Sequence, residues 1–246
     1  MPIDFDAANE GLTTTDEWQS WRAARLRGDL MGELPAIPDQ DATGGFVGYG
    51  GTASPGATAR ALAHLVALGL RDSGPAAIAG DWLLEARTPA GAWLDPPTEV
   101  PGDIDSPAAG RVWATAAAAC ALLAIGRDPG ARCFALLRGE ADQEGRFTGG
   151  VFATCAAAGA YWTSEGPKTE MAEWALRWAR ENDDGSWGPE PYAVGLTFWA
   201  AAGIPADHPS VELFTEELRM LAPVAGWPDD TEMTLLTLEV LAAYER

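Results

Sequence analysis

The chain has 246 residues, of which 36 are acidic and 16 basic, giving a formal net charge of −20. Because nucleic acids and anionic membranes are bound through Lys and Arg, this charge argues against both as partners. No apolar run reaches the roughly 18 residues of a membrane span, so we expect no transmembrane segment. The first residues are acidic and do not resemble a signal peptide. Because Cys120, Cys133 and Cys155 lie in apolar stretches, we expect reduced thiols in a cytoplasmic protein.

In chain order, a flexible arm is predicted over residues 1–15, and ten helices follow in a single domain over residues 16–246. Five amphipathic helices alternate with five helices that are apolar on most faces. The amphipathic helices are predicted at about 16–27, 75–87, 130–139, 170–181 and 210–221. The apolar helices are predicted at about 57–70, 114–125, 150–162, 192–202 and 229–244. No stretch alternates with a period of two, so no strand is predicted.

Each amphipathic helix is followed by a glycine and an aromatic residue. These junctions are Gly44-Gly45-Phe46, Gly91-Ala92-Trp93, Gly145-Arg146-Phe147, Gly185-Ser186-Trp187 and the shorter Gly226-Trp227. Such regular spacing is typical of a repeat architecture. An inner ring of apolar helices inside an outer ring buries the apolar set most simply. The sequence therefore predicts an all-α fold, an α/α toroid of about five to six helix pairs, with Trp93 and Trp187 largely buried.

Two junctions match a longer pattern. Residues 82–93 and 178–187 resemble the QW repeat of squalene–hopene and class II diterpene cyclases, which ends in Gln-x-x-x-Gly-x-Trp; Arg87 and Glu181 replace the Gln here. Residues 40–46 keep the Gln but end in Phe. Residues 54–59, Ser-Pro-Gly-Ala-Thr-Ala, look like the Ser-Pro-x-Ala-Thr-Ala segment of class II diterpene cyclases. The resemblance covers most of residues 35–245 and implies a single β-type toroid domain of a terpene cyclase.

The resemblance also implies a chemistry. In that family an Asp of an Asp-x-Asp-Asp motif protonates an alkene or epoxide, and the cation spreads along a folded polyprenyl chain. Aromatic faces stabilise such cations, and a dry cavity keeps water from quenching them. We therefore expect a cyclase of natural-product biosynthesis, of isomerase or lyase type, acting on a polyprenyl chain or its diphosphate. No cofactor is expected for the chemistry, and magnesium would serve only to bind a diphosphate.

Two segments compete for the acid. Asp103 and Asp105 keep three positions of the motif, in the loop where the family carries it, but the spacing to Gly126 requires an apolar helix about two turns longer than its counterparts. Asp229 and Asp230 have the right spacing to the last helix but lie in another repeat. Asp105 is our first candidate. Helix N-capping also explains both pairs.

Substrate-binding candidates lie on the apolar helices. Arg60 and His64 are one turn apart and either hold a diphosphate or another anion, or face solvent. The aromatic candidates either line a cavity or pack in the core; they are Trp113, Tyr161, Trp162, Tyr192, Phe198 and Trp199.

Two other functions remain open at this point. One is a binding subunit with a degenerate acid motif that holds an isoprenoid and works with a partner chain or as a homo-oligomer. The other is a carbohydrate-active toroid, with Asp105 and Asp229 as its carboxylate pair. A dry aromatic cavity favours the cyclase, an acidic and wet one favours the glycosidase, and a scaffold needs no cavity.

Overall fold

The computed structural model describes residues 3–29, 32–95, 99, 101, 106–167 and 169–245. Across these residues the fold is all-α, as predicted, with three isolated β-bridges and no strand. The helices are α1 (Phe5–Glu10), α2 (Glu17–Leu26), α3 (Pro55–Ala67), α4 (Gly74–Ala86), α5 (Pro107–Ala124), α6 (Ala131–Gly139), α7 (Gly150–Glu165), α8 (Glu170–Glu181), α9 (Pro189–Ala201), α10 (Pro209–Leu221) and α11 (Thr231–Tyr244). Helices α2 to α11 correspond to the ten predicted ones.

The N-terminal segment differs from the expected flexible arm, because residues 5–10 form α1. The Asp4 carboxylate caps this helix, and the Asp4 backbone N–H donates to the Val224 carbonyl oxygen at 3.0 Å. Ile3 and Ala8 are buried, and α1 contacts α11. A six-residue helix is too short to show a hydrophobic period in the sequence. Its helical structure is stabilised instead by its contacts with α11 and with the Val224 carbonyl.

Two apolar helices begin with a serine cap followed by proline. The Ser54 hydroxyl accepts from the Ala57 backbone N–H, and the Ser106 hydroxyl accepts from the Ala109 backbone N–H. Proline suits the first helical position because its missing N–H would have no partner there. α5 begins at Pro107, seven residues before residue 114, where its apolar core was predicted to start. It has 18 residues, against 13 in α3.

The five junctions share one backbone conformation. Their first glycines all have positive φ, from 73° at Gly185 to 98° at Gly44. At four junctions the backbone N–H of the aromatic residue donates to a threonine hydroxyl on the next apolar helix. The pairs are Phe46 with Thr58 at 2.9 Å, Trp93 with Thr115 at 3.1 Å, Phe147 with Thr154 at 3.0 Å, and Trp227 with Thr234 at 2.8 Å.

The fourth junction departs from this pattern. Val194 follows Trp187 by seven residues, as Thr154 follows Phe147, and valine has no hydroxyl to accept the bond. Trp93 is fully buried, and Trp187 is partly buried and packs against the core. Trp187 packs against the rings of Tyr192 and Phe214 at 5.7 and 6.1 Å between centroids.

The apolar helices pack on one another in chain order, α3 on α5, α5 on α7, α7 on α9 and α9 on α11. Amphipathic helices cover them, with α4 on α3, α6 on α5, α8 on α7, α10 on α9 and α2 on α11. α9 also packs against α3, whereas α3 and α11 touch only sparsely. Close packing requires small side chains: a Cβ at Gly159 would lie 2.7 Å from the Cys120 sulfur.

One described helix, α5, is long and apolar enough by length and composition to cross a membrane. Of its 18-residue apolar window, 78% is buried inside the protein. That burial is the pattern of a core helix, and it fits the contacts of α5 with both α3 and α7.

Candidate functional site

A cavity of about 490 Å³ lies between α3, α9, α11 and the segment that precedes α3. Its volume is within the range of small-molecule sites. Apolar side chains form much of the wall, including Trp18, Phe46, Leu65, Val194, Met233 and Leu236. Polar side chains form the rest, namely Asp39, Tyr49, Arg60, His64, Glu190, Thr197, Asp230 and Glu232. The sequence candidates Arg60, His64 and Asp230 are therefore brought to one cavity.

Arg60 takes part in a small network at the cavity wall. Its Nη1 donates to the Tyr49 hydroxyl at 3.1 Å and to Glu190 Oε1 at 3.4 Å, and its guanidinium lies 5.5 Å from the centre of the Tyr49 ring. The Tyr49 hydroxyl also donates to Glu190 at 3.2 Å. The charge of Arg60 is thus already balanced by a carboxylate, although about a third of its side chain is exposed.

His64 belongs to a buried ionic network. Its Nε2 lies 2.8 Å from Glu239 Oε2, and Arg22 binds the same carboxylate through Nε at 2.8 Å and Nη2 at 2.7 Å. Arg22 Nη1 also contacts both oxygens of Glu232, at 2.6 and 2.7 Å. Burial opposes ionisation of Glu239, but the charges of Arg22 and His64 prevail and lower its pKa to about 2. Burial also opposes the charge of Arg22, whose pKa the two carboxylates hold above its usual value.

A second pair of carboxylates is buried beside the start of α3. Asp95 Oδ2 accepts from the Gly56 backbone N–H at 2.9 Å, and Glu99 accepts from the Gly50 backbone N–H. Within the described part of the chain, Asp95 Oδ1 and Trp113 Nε1 have no hydrogen-bond partner. Burial raises the pKa of Asp95 to about 7; the Gly56 bond opposes the shift and the charge of Glu99 adds to it.

The structure places the acids proposed from the sequence in different environments. Asp230 is exposed and caps α11, accepting from the Met233 backbone N–H at 2.8 Å. Asp229 is exposed and is not part of the cavity wall. Asp103 and Asp105 lie outside the described residues. Asp230 therefore has the helix-capping role that was the alternative to catalysis.

The six aromatic candidates lie outside the cavity wall. Trp113 packs edge-on against Phe198 at 5.8 Å, and the Trp199 indole N–H donates to the Cys155 carbonyl oxygen at 3.1 Å. The Tyr161 hydroxyl donates to the Phe134 carbonyl oxygen, and the Tyr192 hydroxyl donates to Asp183 at 2.7 Å. Trp162, which is not fully buried, packs edge-on against His208. The aromatic side chains of the wall are instead Trp18, Phe46 and Tyr49.

Sequence reasoning missed Arg22, Glu239 and Asp95. One signal was present: Glu239 is the single charged residue between Glu232 and Glu245, in an otherwise apolar and threonine-rich helix. A lone carboxylate in such a helix predicts a buried cation partner. Its partner, Arg22, lies 217 residues away in the chain, so only the fold identifies it.

The cavity is neither uniformly aromatic nor uniformly acidic. Its apolar side suits a hydrocarbon chain, and its carboxylates provide hydrogen-bond acceptors and negative charge. Among the described residues, no three His, Cys, Asp or Glu side chains are grouped as a metal ion would need. Comparison of the chain with protein-family models and with curated protein sequences finds no match.

Proposed function

We propose that the protein is a cyclase-like enzyme that binds a polyprenyl chain in the cavity between α3, α9 and α11 and starts its cyclisation by protonation. The observation that carries this proposal is the cavity itself, about 490 Å³, with an apolar side to which three of the five apolar helices contribute. A folded hydrocarbon chain gains binding free energy there in proportion to the apolar area that leaves water.

The proposed architecture is an α/α toroid. Two contacts support it: successive apolar helices pack on one another, and α2, near the start of the chain, packs on α11 at its end. The repeated glycine junctions and threonine bonds at Thr58, Thr115, Thr154 and Thr234 give further support, because equivalent bonds recur at equivalent places.

The proposed acid belongs to the connection between α4 and α5. α5 has 18 residues against 13 to 16 in the other apolar helices, which supplies part of the extra length that an acid at Asp105 requires. Asp95, in the same connection, is a second candidate: it binds the Gly56 backbone N–H next to the wall residue Ala57, outside the wall itself, and burial raises its pKa to about 7. The protonation itself needs no metal ion.

Incubation with farnesyl diphosphate, geranylgeranyl diphosphate and squalene, followed by mass spectrometry, tests the proposal. We expect a cyclic product whose formation survives EDTA. Replacing Asp95 or Asp105 by Asn should abolish product, whereas Asn at 229 or 230 should not. Products that persist in both Asn variants at 95 and 105 would refute the acid assignment.

A binding subunit is the second candidate function. It is favoured by a specific observation: the four carboxylates of the cavity wall are either exposed, as Asp39 and Asp230 are, or paired with an arginine, so none is a buried, unpaired acid. Such a protein would bind an isoprenoid without turnover until its partner chain is added. A carbohydrate-active enzyme would instead release reducing sugar from a glycan and bind no isoprenoid.

A further inference from the structure

We propose that the ligand of this cavity has a head group without negative charge, and that a protonated amine head is bound tightest. The inference rests on the proposed function, because it names the class of chain-bearing molecule that the same cavity takes. It opposes the diphosphate that Arg60 and His64 suggested in the sequence.

The charge around the cavity disfavours an anionic head group. Its wall contains four carboxylates, Asp39, Glu190, Asp230 and Glu232, and Glu239 lies directly behind His64. Two guanidinium groups pair with three of these five carboxylates, Arg60 with Glu190 and Arg22 with both Glu232 and Glu239. Three negative charges therefore remain when His64 is neutral, and the chain as a whole carries −20.

The cations at the cavity are already engaged. Arg60 binds Glu190 and Tyr49, and Arg22 is fully buried between Glu232 and Glu239. A diphosphate needs several donors that it does not share with carboxylates. Binding it here would separate existing ion pairs and bring more negative charge to an acidic wall.

The helix ends at the cavity also disfavour a phosphate. Helix N-termini are favourable places for phosphate because their backbone N–H groups lack partners. Two such ends face this cavity, and both carry carboxylates: Asp230 caps α11 and binds the Met233 N–H, and Glu190 occupies the first turn of α9. At each of these ends a carboxylate already supplies the negative charge that the N-terminus favours, so a phosphate would meet like charge there. Within the described residues, neither Asp39 nor Asp230 forms an ion pair with Lys, Arg or His.

A series with one chain and three head groups tests the inference. Farnesylamine, farnesol and farnesyl diphosphate are titrated by calorimetry in EDTA, so that magnesium does not neutralise the diphosphate. We expect affinity to fall in that order, with the amine bound at least about tenfold tighter than the diphosphate, and the ratio to shrink as salt screens the charges. A diphosphate bound as tightly as the amine overturns the inference while leaving the proposed function intact.

Charge removal provides the second arm. The double variant Asp39→Asn and Asp230→Asn removes two wall charges, and Asn is as good a helix cap as Asp. The control, Asp72→Asn with Glu216→Gln, removes the same charge from exposed positions outside the wall. We expect the amine-to-diphosphate ratio to fall several-fold in the first variant only. Equal ratios in both variants overturn the inference, and failure of all three ligands to bind overturns the proposed function with it.

Discussion

The threonine that follows four of the five junctions is a structural residue rather than a surface one. Thr58 is fully buried, and its hydroxyl accepts a hydrogen bond from the Phe46 backbone N–H. A buried N–H without a partner costs more than a hydrogen bond gains, since the desolvation of the group is not recovered. The junction threonines therefore fix where each apolar helix meets the turn before it.

Replacing Thr58 by Val tests this role. The change keeps the shape and leaves the Phe46 N–H unpaired, so we expect the free energy of unfolding to fall by about 1–3 kcal/mol in urea denaturation. Thr197→Val is the matched control, because the Thr197 hydroxyl donates only to the Ala193 carbonyl of its own helix. Equal losses in the two variants would contradict the junction role.

Asp95 should make stability depend on pH near neutrality. Its pKa is about 7 in the folded protein against 3.8 in the unfolded chain, so between these values the folded state holds more protons. The free energy of unfolding therefore falls as pH rises from about 4 through 7. Asp95→Asn removes this pH dependence. The free energy of unfolding of the variant should therefore rise relative to that of the wild type between pH 5 and pH 8. A difference that stays constant over that range would show that Asp95 is ionised throughout.

Glu239 should act in the opposite direction and at lower pH. Its pKa falls from 4.5 to about 2, so its stabilising contribution is complete above pH 4.5 and is lost as pH falls toward 2. Glu239→Gln should remove this part of the acid transition. At pH 7 it should cost roughly 3–5 kcal/mol, because Arg22 stays buried and loses a carboxylate partner.

The control for this variant is Glu245→Gln at an exposed pair with Arg219. Exposed ion pairs contribute at most about 1 kcal/mol. Denaturant melts at pH 7 and pH 3 separate the two pairs. Similar losses at pH 7 would mean that the buried network contributes no more than a surface contact.

At the scale of elements, the positions of the helices can be predicted from the sequence much better than the contacts between them. α8 begins and ends at residues 170 and 181, as predicted, because its apolar stripe is complete and a glycine turn follows. The start of α5 was placed several residues late, since its first turns, Pro107 to Arg111, carry glycine and arginine instead of the alanine run. α1 was missed altogether, because α11 and the loop at Val224 stabilise it from the far end of the chain.

The site follows from the sequence only in part. Arg60 and His64 were paired because helical spacing places residues four apart on one face, and that local rule held. Their partners Glu190 and Glu239 lie 130 and 175 residues away, and no local pattern specifies such contacts. The aromatic candidates were chosen by residue type alone. Residue type does not distinguish an aromatic side chain packed in the core from one that lines the cavity.

The junction glycines differ in what surrounds them, which gives an element-scale prediction. Gly145 and Gly185 both have positive φ, but a Cβ at Gly145 would lie 2.5 Å from the Trp174 carbonyl carbon, whereas a Cβ at Gly185 meets nothing within 4 Å. Gly185→Ala should cost about 1–2 kcal/mol for the left-handed conformation alone. Gly145→Ala should cost clearly more, because α8 must also move. Thermal melts of the two variants check this, and equal costs would refute close packing at Gly145.

At the scale of the whole molecule, one open space distinguishes the arrangement of the apolar helices. α9 packs on α3, while α11 approaches α3 only sparsely, and the cavity occupies this gap. The polar network of Arg22, Glu239 and His64 joins α2, α11 and α3 around the same gap. Because these three helices come from both ends of the chain, the cavity forms only when the fold closes.

Binding of an isoprenoid chain in this cavity is the central claim, and filling the cavity tests it most directly. Ala61 lines the cavity, so Ala61→Trp should occupy it, whereas Ala77→Trp places the same side chain on the exposed surface of α4. Farnesol is titrated by calorimetry into the wild type and into both variants, each first shown by thermal melting to be folded. We expect farnesol to bind the wild type and Ala77→Trp, and not to bind Ala61→Trp. Undiminished binding to folded Ala61→Trp, or no binding to the wild type, would contradict the claim.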